Sequence, residues 1–191
     1  KTMALSAPQF FFAQDRSLAE EAFAGDVVGI PNRGVLRIGD ALTEGEDISF
    51  LGIPSFAPEI LRRIRLEDAI KAKKLKDAVR EMAEEGVVQV FNPVDGTQPI
   101  VGVIGALQLD VLADRLKHEY GLATDFDPAP CEAVRWIRSD DPAALKAFIA
   151  ANRSSIATDL DGDHVYIPSS IFTLNYNAGR NPEIQFLEIK T

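Results

Sequence analysis

Cysteine is almost missing from this sequence: Cys131 stands alone among 191 residues. A single thiol can make neither an internal disulfide nor a cysteine-based zinc cluster, and such usage fits a reducing compartment. There is no run of eighteen or more apolar residues, and the N-terminal stretch lacks the charged, apolar and small-residue order of a signal peptide. A membrane-spanning helix is thereby excluded, nothing suggests export, and a cytoplasmic location with no membrane partner is expected. Positive charge is also scarce. The net charge of -9 opposes any general coating of nucleic acid, which needs many cations to neutralise phosphates. Histidine is limited to His118, beside Lys117 on a helical stretch, and His164 at a turn. Neither stands at a spacing from serine, cysteine or carboxylate that would mark a catalytic triad, so surface positions are expected for both.

What is present is enough apolar residue, 46%, for one large or two small domains with real cores. The first fifty residues read as short strands broken by glycines: Phe10 to Ala13, Asp26 to Ile30, Val35 to Ile38 and Ile48 to Leu51. That punctuation suits a small β-barrel. Four strands are too few to close one, and the abrupt start at Lys1-Thr2-Met3 suggests the back part of a barrel whose front lies elsewhere. Pro54 and Pro58 mark a change of pattern, which divides the chain into 1–52 and 53–191. Beyond it the spacing predicts strand Glu59 to Leu66, helix Glu67 to Glu85, strands Val87 to Phe91 and Ile100 to Ile104, helix Ala106 to Tyr120 and strand Leu122 to Phe126. This is a βαββαβ, ferredoxin-like order. A looser second version follows: strand Glu132 to Arg138, helix Pro142 to Asn152, strands Ile156 to Leu160 and His164 to Ile167, a short helical piece near Ser170 and strand Glu183 to Ile189. The fold class expected is therefore α+β, a partial barrel followed by an α/β domain in which the ferredoxin-like pattern repeats. Leu75, Ala78, Val79 and Met82 form one core stripe, and Leu109, Leu112, Leu116 and Tyr120 another. Trp136 and Val134 share one side of a half-buried strand, with Arg135 on the other.

One stretch departs from the acidic average. Between residues 62 and 80 lie Arg62, Arg63, Arg65, Lys71, Lys73, Lys74, Lys76 and Arg80 against only Glu67, Asp68 and Asp77, a local charge of +5. Lys73, Lys76 and Arg80 recur at i, i+3 and i+7 on one helix face, roughly opposite the stripe through Leu75 and Val79. A solvated charged face has the same pattern. Arg63 and Arg65 share a side of the preceding strand, and guanidinium forks suit phosphate oxygens, so an RNA-facing edge made of Arg62, Arg63, Arg65, Lys73, Lys76 and Arg80 is the candidate site.

Other motifs resolve into ordinary structure. Asp159, Asp161 and Asp163 imitate the start of a calcium loop, but His164 stands where the glycine is required and Ser170 where the bidentate glutamate belongs. Asp161-Gly162 reads better as a hairpin turn, and no metal is assigned. Asp26-Val27-Val28-Gly29 fits the DxxG pattern of GTPases, yet no GxxxxGK[ST] loop precedes it, and it reads as a strand after a turn. Glu20-Glu21 and Glu84-Glu85 read as a solvated face and a helix end rather than acid/base pairs. No catalytic residue or cofactor-binding residue emerges.

The letters themselves go further. Gln14-Asp15-Arg16-Ser17, Glu21-Ala22-Phe23-Ala24-Gly25-Asp26, Gly29-Ile30-Pro31-Asn32 and Ile38-Gly39-Asp40 through Thr43-Glu44-Gly45 resemble the end of the β-barrel second domain shared by translational GTPases. Gly52-Ile53-Pro54-Ser55-Phe56-Ala57-Pro58-Glu59, Arg62-Arg63-Ile64-Arg65-Leu66 and Glu84-Glu85-Gly86 through Val88-Gln89-Val90-Phe91 narrow this to a resemblance to the peptide chain release factor 3 family. The likeness continues through Val101-Gly102-Val103, Gly105 to Val111, Arg115-Leu116-Lys117, Glu119-Tyr120 and Arg135-Trp136, and ends more weakly at Gln185-Phe186. It implies a factor that uses GTP to help remove class I release factors from the ribosome. It also implies that the barrel and C-terminal domain face the small subunit, meeting rRNA and a protein near the decoding region. No P-loop or NKxD motif is present. The resemblance therefore implies that GTP or GDP, with Mg, belongs to a GTPase domain of the same parent chain, while this part docks without cofactor or catalysis. Two other readings stand beside it: a piece of an elongation factor G-like or ribosomal protection GTPase, and a small-molecule-binding regulatory module.

Overall fold

The computed structural model describes residues 4, 6–12, 15–32, 35–48, 50 and 54–190. Contacts divide the chain into two units, Lys1–Asp40 and Ala41–Thr191. In the first, strands β1 (Gln9–Phe12) and β2 (Asp15–Leu18) pair antiparallel in register Gln9↔Leu18. The run expected as a strand from Asp26 to Ile30 contributes only one bridge, in which Gln9 and Gly29 exchange both backbone hydrogen bonds, at 2.9 and 2.8 Å. Val35 to Ile38 forms no strand. There the Asn32 side chain takes the Val35 and Leu36 N–H groups, each at 3.0 Å, and so replaces a ladder with a local turn. Ala13, Ser49 and Leu51, parts of other expected strands, lie outside the described residues, and β2 was not foreseen. Among the described residues no closed barrel forms.

The second unit follows the expected order closely. After β3 (Ser55–Phe56) come β4 (Ile60–Leu66), α1 (Ala72–Glu84), β5 (Gln89–Pro93), β6 (Ile100–Val103), α2 (Ala106–His118) and β7 (Thr124–Pro128). A second set consists of β8 (Arg135–Arg138), α3 (Pro142–Ala151), β9 (Ile156–Thr158), β10 (His164–Tyr166), α4 (Ile171–Arg180) and β11 (Gln185–Leu187), and β12 (Ile189–Lys190) ends the chain's described part. The first set pairs in the order β5-β6-β4-β7 and the second in the order β11-β8-β10-β9, every pair antiparallel. Each is a ferredoxin-like arrangement, so the repeated pattern is real. β5 and β9 pair through Asn92↔Thr158 and Pro93↔Ala157, making one eight-stranded sheet.

Three apolar layers explain this assembly. Alternating residues of the first strand set send Ile64, Val90, Val101 and Val103 toward α1 and α2, where they meet Val79, Met82, Leu112 and Leu116. Ala133, Ile137, Ile156 and Tyr166 pack likewise against Phe148 of α3 and Leu174 of α4. The two helix-free faces cover each other: Leu61, Phe91 and Ile100 from the first set join Val134, Trp136, Ala157 and Val165 from the second. Burying side chains such as Phe91, Ile100 and Val165 contributes about 1.5–3 kcal/mol each. β8 is consequently buried on both faces, Trp136 in the middle layer and Ile137 against α3, rather than half-buried as its sequence suggests. Cys131 lies in the same middle layer, where burial pushes its thiol up to about 11 despite the nearby Arg63 charge, and it stays protonated.

Local chemistry adjusts the expected boundaries. The helix expected from Glu67 starts instead with a 3-10 turn at Ala69–Lys71, because the Asp68 carboxylate takes the Ile70 N–H at 3.0 Å. The piece near Ser170 is a full helix: Ser170 caps α4 by accepting from the Thr173 N–H at 3.1 Å. The strand expected from Glu183 to Ile189 splits into β11 and β12, which join different sheets. Gly162, at φ +92°, turns the β9–β10 hairpin, and Lys190 fills the space among the three aspartates, with its Nζ 2.7 Å from Asp159, 2.7 Å from Asp161 and 2.6 Å from Asp163.

Two outcomes are expected. A Cβ on Gly102 would meet Pro58 Cγ at 2.5 Å and Cβ at 2.8 Å, so Gly102→Ala should destabilise the fold by about 1–3 kcal/mol in urea unfolding. Burial alone raises the Asp159 pKa, but the hydrogen bonds from Lys190, from the Trp136 indole and from the Asp163 backbone outweigh it and hold the carboxyl below its usual value. Its contribution is therefore complete above the unfolded-state value of about 3.9 and lost as pH falls through the lower folded value. Asp159→Asn should cost about 1–3 kcal/mol at pH 7, and that difference should shrink in urea titrations taken below pH 3.5.

Candidate nucleic-acid interface

β4 is an interior strand between β6 and β7, so its three arginines do not share an edge. Ile60, Ile64 and Leu66 face the layer under α1, and Arg62, in step with them, lies on that side of the sheet. It is half-buried, and its Nη1 donates to the Leu61 carbonyl at 2.9 Å. Arg63 and Arg65 lie on the opposite side, as their shared parity requires. Arg63 is half-buried beside Cys131, and its buried Nε has no hydrogen-bond partner. Arg65 is exposed but already held: Asp125 and Asp127 of β7 reach its guanidinium at 2.8 and 3.4 Å. An anion approaching Arg65 would have to displace two carboxylates. Nearby, an open groove is lined by Glu67, Asp110 and Asp114 with Lys117, a further negative field.

The helix cations differ. Lys73, Lys74 and Lys76 are exposed, and among the described residues none of them forms an ion pair. Arg80 is exposed and meets Glu84 one turn on, at 3.3 Å. On the inner face, Ala78, Val79 and Met82 hold the helix to the sheet. The Tyr120 hydroxyl donates to Glu81 at 2.7 Å, and this bond, with burial, pushes the phenol up to about 12. The structure thus brings Lys73, Lys76 and Arg80 onto one solvent face with Arg62 on the same side of the sheet, and it separates Arg63 and Arg65 from them.

Sequence inspection overlooked the direction of the charges along α1. Its first turn contains no acid and its last turn no base; the N-cap is Lys71, with no side-chain cap. Lysines gather at the positive end of the helix dipole and Glu81 and Glu84 at the negative end, an order that costs about 0.3–1 kcal/mol per charge at either end. The other helices also lack an acid in the first turn, but none of them places lysines there. Gln108 Oε1 accepts from the Gly105 N–H at the start of α2, Asp141 caps α3 with Pro142 behind it, and α2 ends on Arg115, Lys117 and His118. The signal was legible in the order Lys-Lys-Leu-Lys before Glu-Met-Ala-Glu. A helix that sets charge against its own dipole concentrates positive potential at its N-terminal end, an arrangement that suits an anion.

Lys73→Glu tests this arrangement. The new carboxylate gains Lys76 three residues on and loses against Asp77 four on, so the dipole decides, and thermal or urea unfolding should show stabilisation of about 0.3–1 kcal/mol. A neutral or destabilising result would mean that the lysine end is not strained.

Comparison with protein families matches two regions of the chain. Residues 1–45 match elongation factor G domain 2, a translation-factor barrel-like domain, in keeping with the short-stranded first unit. Residues 50–178, which hold all four helices except the last two residues of α4, match the C-terminal domain of class II release factor RF3. Since that match covers more than half of the chain, and the barrel-type domain precedes it in the order of a translational GTPase, the chain belongs to the class II release factor RF3 family of translation termination.

Proposed function

We propose that this chain is the ribosome-docking region of its factor, and that the exposed lysine end of α1 supplies its contact with small-subunit rRNA. The observation that carries the reading is the reversed charge order of α1, with Lys73 and Lys76 free of ion pairs among the described residues. In a chain of net charge -9, such a patch is where phosphate can approach. Arg80 and Arg62 extend the same side, whereas Arg65 is held by the β7 carboxylates and Arg63 is half-buried on the opposite side beside Cys131. In this reading residues 1–52 form the barrel region and 53–191 the α/β docking domain. GTP or GDP, with Mg, is held by the GTPase domain of the same factor, which neither matched region represents. Docking then positions that factor while it promotes departure of a class I release factor, with a small-subunit protein near the decoding region completing the contact. Neither domain boundary nor docking role requires catalysis by the residues described above.

The test is co-sedimentation of the whole chain with small ribosomal subunits across a salt series. Changing Lys73, Lys76 and Arg80 together to alanine should lower the slope of log affinity against log salt by about 2–3, since each phosphate contact contributes roughly one unit. Alanine is the best helix former and the three sites are exposed, so loss of fold does not confound the result. Arg65→Ala should leave the slope unchanged. Equal binding by the triple variant and the parent would sink the assignment.

A further inference from the structure

Lys190 ends β12, and β12 forms with β3 a ribbon of only two residue pairs, Ile189↔Phe56 and Lys190↔Ser55. The Ala57 N–H adds one bond to the Glu188 carbonyl at 2.7 Å, and Gln89 Nε2 donates to the Phe56 carbonyl at 2.7 Å. A two-stranded ribbon this short does not hold itself in water. Its apolar side chains help little, because Phe56 and Ile189 are 51% and 44% exposed and neither belongs to the three apolar layers.

The anchors are ionic and lie on the second ferredoxin-like set. Lys190, with its side chain only 17% exposed, meets Asp159, Asp161 and Asp163 together. Asp159 is fixed in turn by the Trp136 indole N–H at 3.0 Å and by the backbone N–H groups of Asp161 and Asp163. Glu188 reaches Arg135 Nη2 of β8 at 2.5 Å. Lys190–Asp159 is sheltered on both sides and is the firm pair of the set, whereas Asp161, Asp163 and Glu188 are each more than half exposed and add less. What they hold is the segment at residues 54–57, which leads into β4 and lies just past the change from one family match to the other, at residues 45 to 50.

We propose that residues 188–190 are a releasable strap: latched, they tie the segment leading into the α/β domain to the β9–β10 hairpin and β8; unlatched, they free that segment and leave the three apolar layers intact. Release is local because no residue of the strap is in a core layer and, of the segment it holds, only Ala57 packs against one, as Leu187 does directly before the strap. The arrangement places a separately opening element at the connection between the barrel region and the α/β domain, the low-stability position from which moving parts are drawn.

Native-state amide hydrogen exchange of the whole chain in low urea tests this. The Ala57 amide should exchange through a local opening that is insensitive to urea, while amides of β6 and β10 exchange only by global unfolding. In the double variant Glu188→Gln/Lys190→Met, Ala57 should exchange at least about ten-fold faster with β6 and β10 unchanged, and chymotrypsin should cut sooner after Phe56. Lys190→Arg should keep most of the protection. Ala57 exchanging with the same urea dependence as β6 in the parent, or β6 and β10 losing protection along with it in the double variant, would make the strap part of the core and overturn the proposal. Unchanged Ala57 exchange in the double variant would remove the ionic latch.

Discussion

The α/β unit depends on the mutual covering of two apolar sheet faces. Each ferredoxin-like set places its helices on one side and leaves the other side bare, and the bare sides carry Leu61, Phe91 and Ile100 in one set and Val134, Trp136 and Val165 in the other. Neither face could stay in water without a large loss of burial free energy, so the sets must close on each other. The β5–β9 pairing that joins them is short and includes Pro93, which has no N–H to donate. The apolar middle layer, not that seam, therefore does most of the joining. Gly102 shows how tightly the layer is filled, since Pro58 and Phe91 occupy the space a side chain would need.

With both inner faces committed to packing, charge is confined to the outside, and the outside is uneven. β4 brings Arg65 beside β7, whose Asp125 and Asp127 both pair with it, so its charge is answered within the fold. α1 is the exception. Its lysines stand against the helix dipole and, among the described residues, form no ion pair, while Arg115 of α2 is shared between Glu85 and Glu119. None of the four helices has an acid in its first turn, but among them only α1 places lysines there and glutamates in its last turn.

Much of this was readable beforehand. Both βαββαβ orders, the stripes through Val79 and Leu116 and the hairpin at Asp161-Gly162 follow from periodicity and turn chemistry, which are local properties. The failures were local competitions that periodicity does not register. Asn32 captures the backbone at Val35 and Leu36, Asp68 turns the start of the helix into a 3-10 turn, and Ser170 extends a short piece into α4. Parity along β4, readable in the sequence, puts Arg62 and Arg63 on opposite faces, but only the sheet order reveals that β4 has neighbours on both sides.

By itself the sequence determined the element types, the apolar stripes, the positive excess between residues 62 and 80 and the family resemblance, because all of these reside in residue identity and near-neighbour spacing. Tertiary structure alone decided which cations remain available and which are answered, since Asp125 is sixty residues from Arg65 in the chain yet bonded to it. It likewise decided that the three aspartates of the β9–β10 hairpin hold the ammonium of Lys190, and that β8 is buried on both faces. Long-range pairing sets such partners, and Coulomb and burial terms depend on distance in space rather than on separation along the chain.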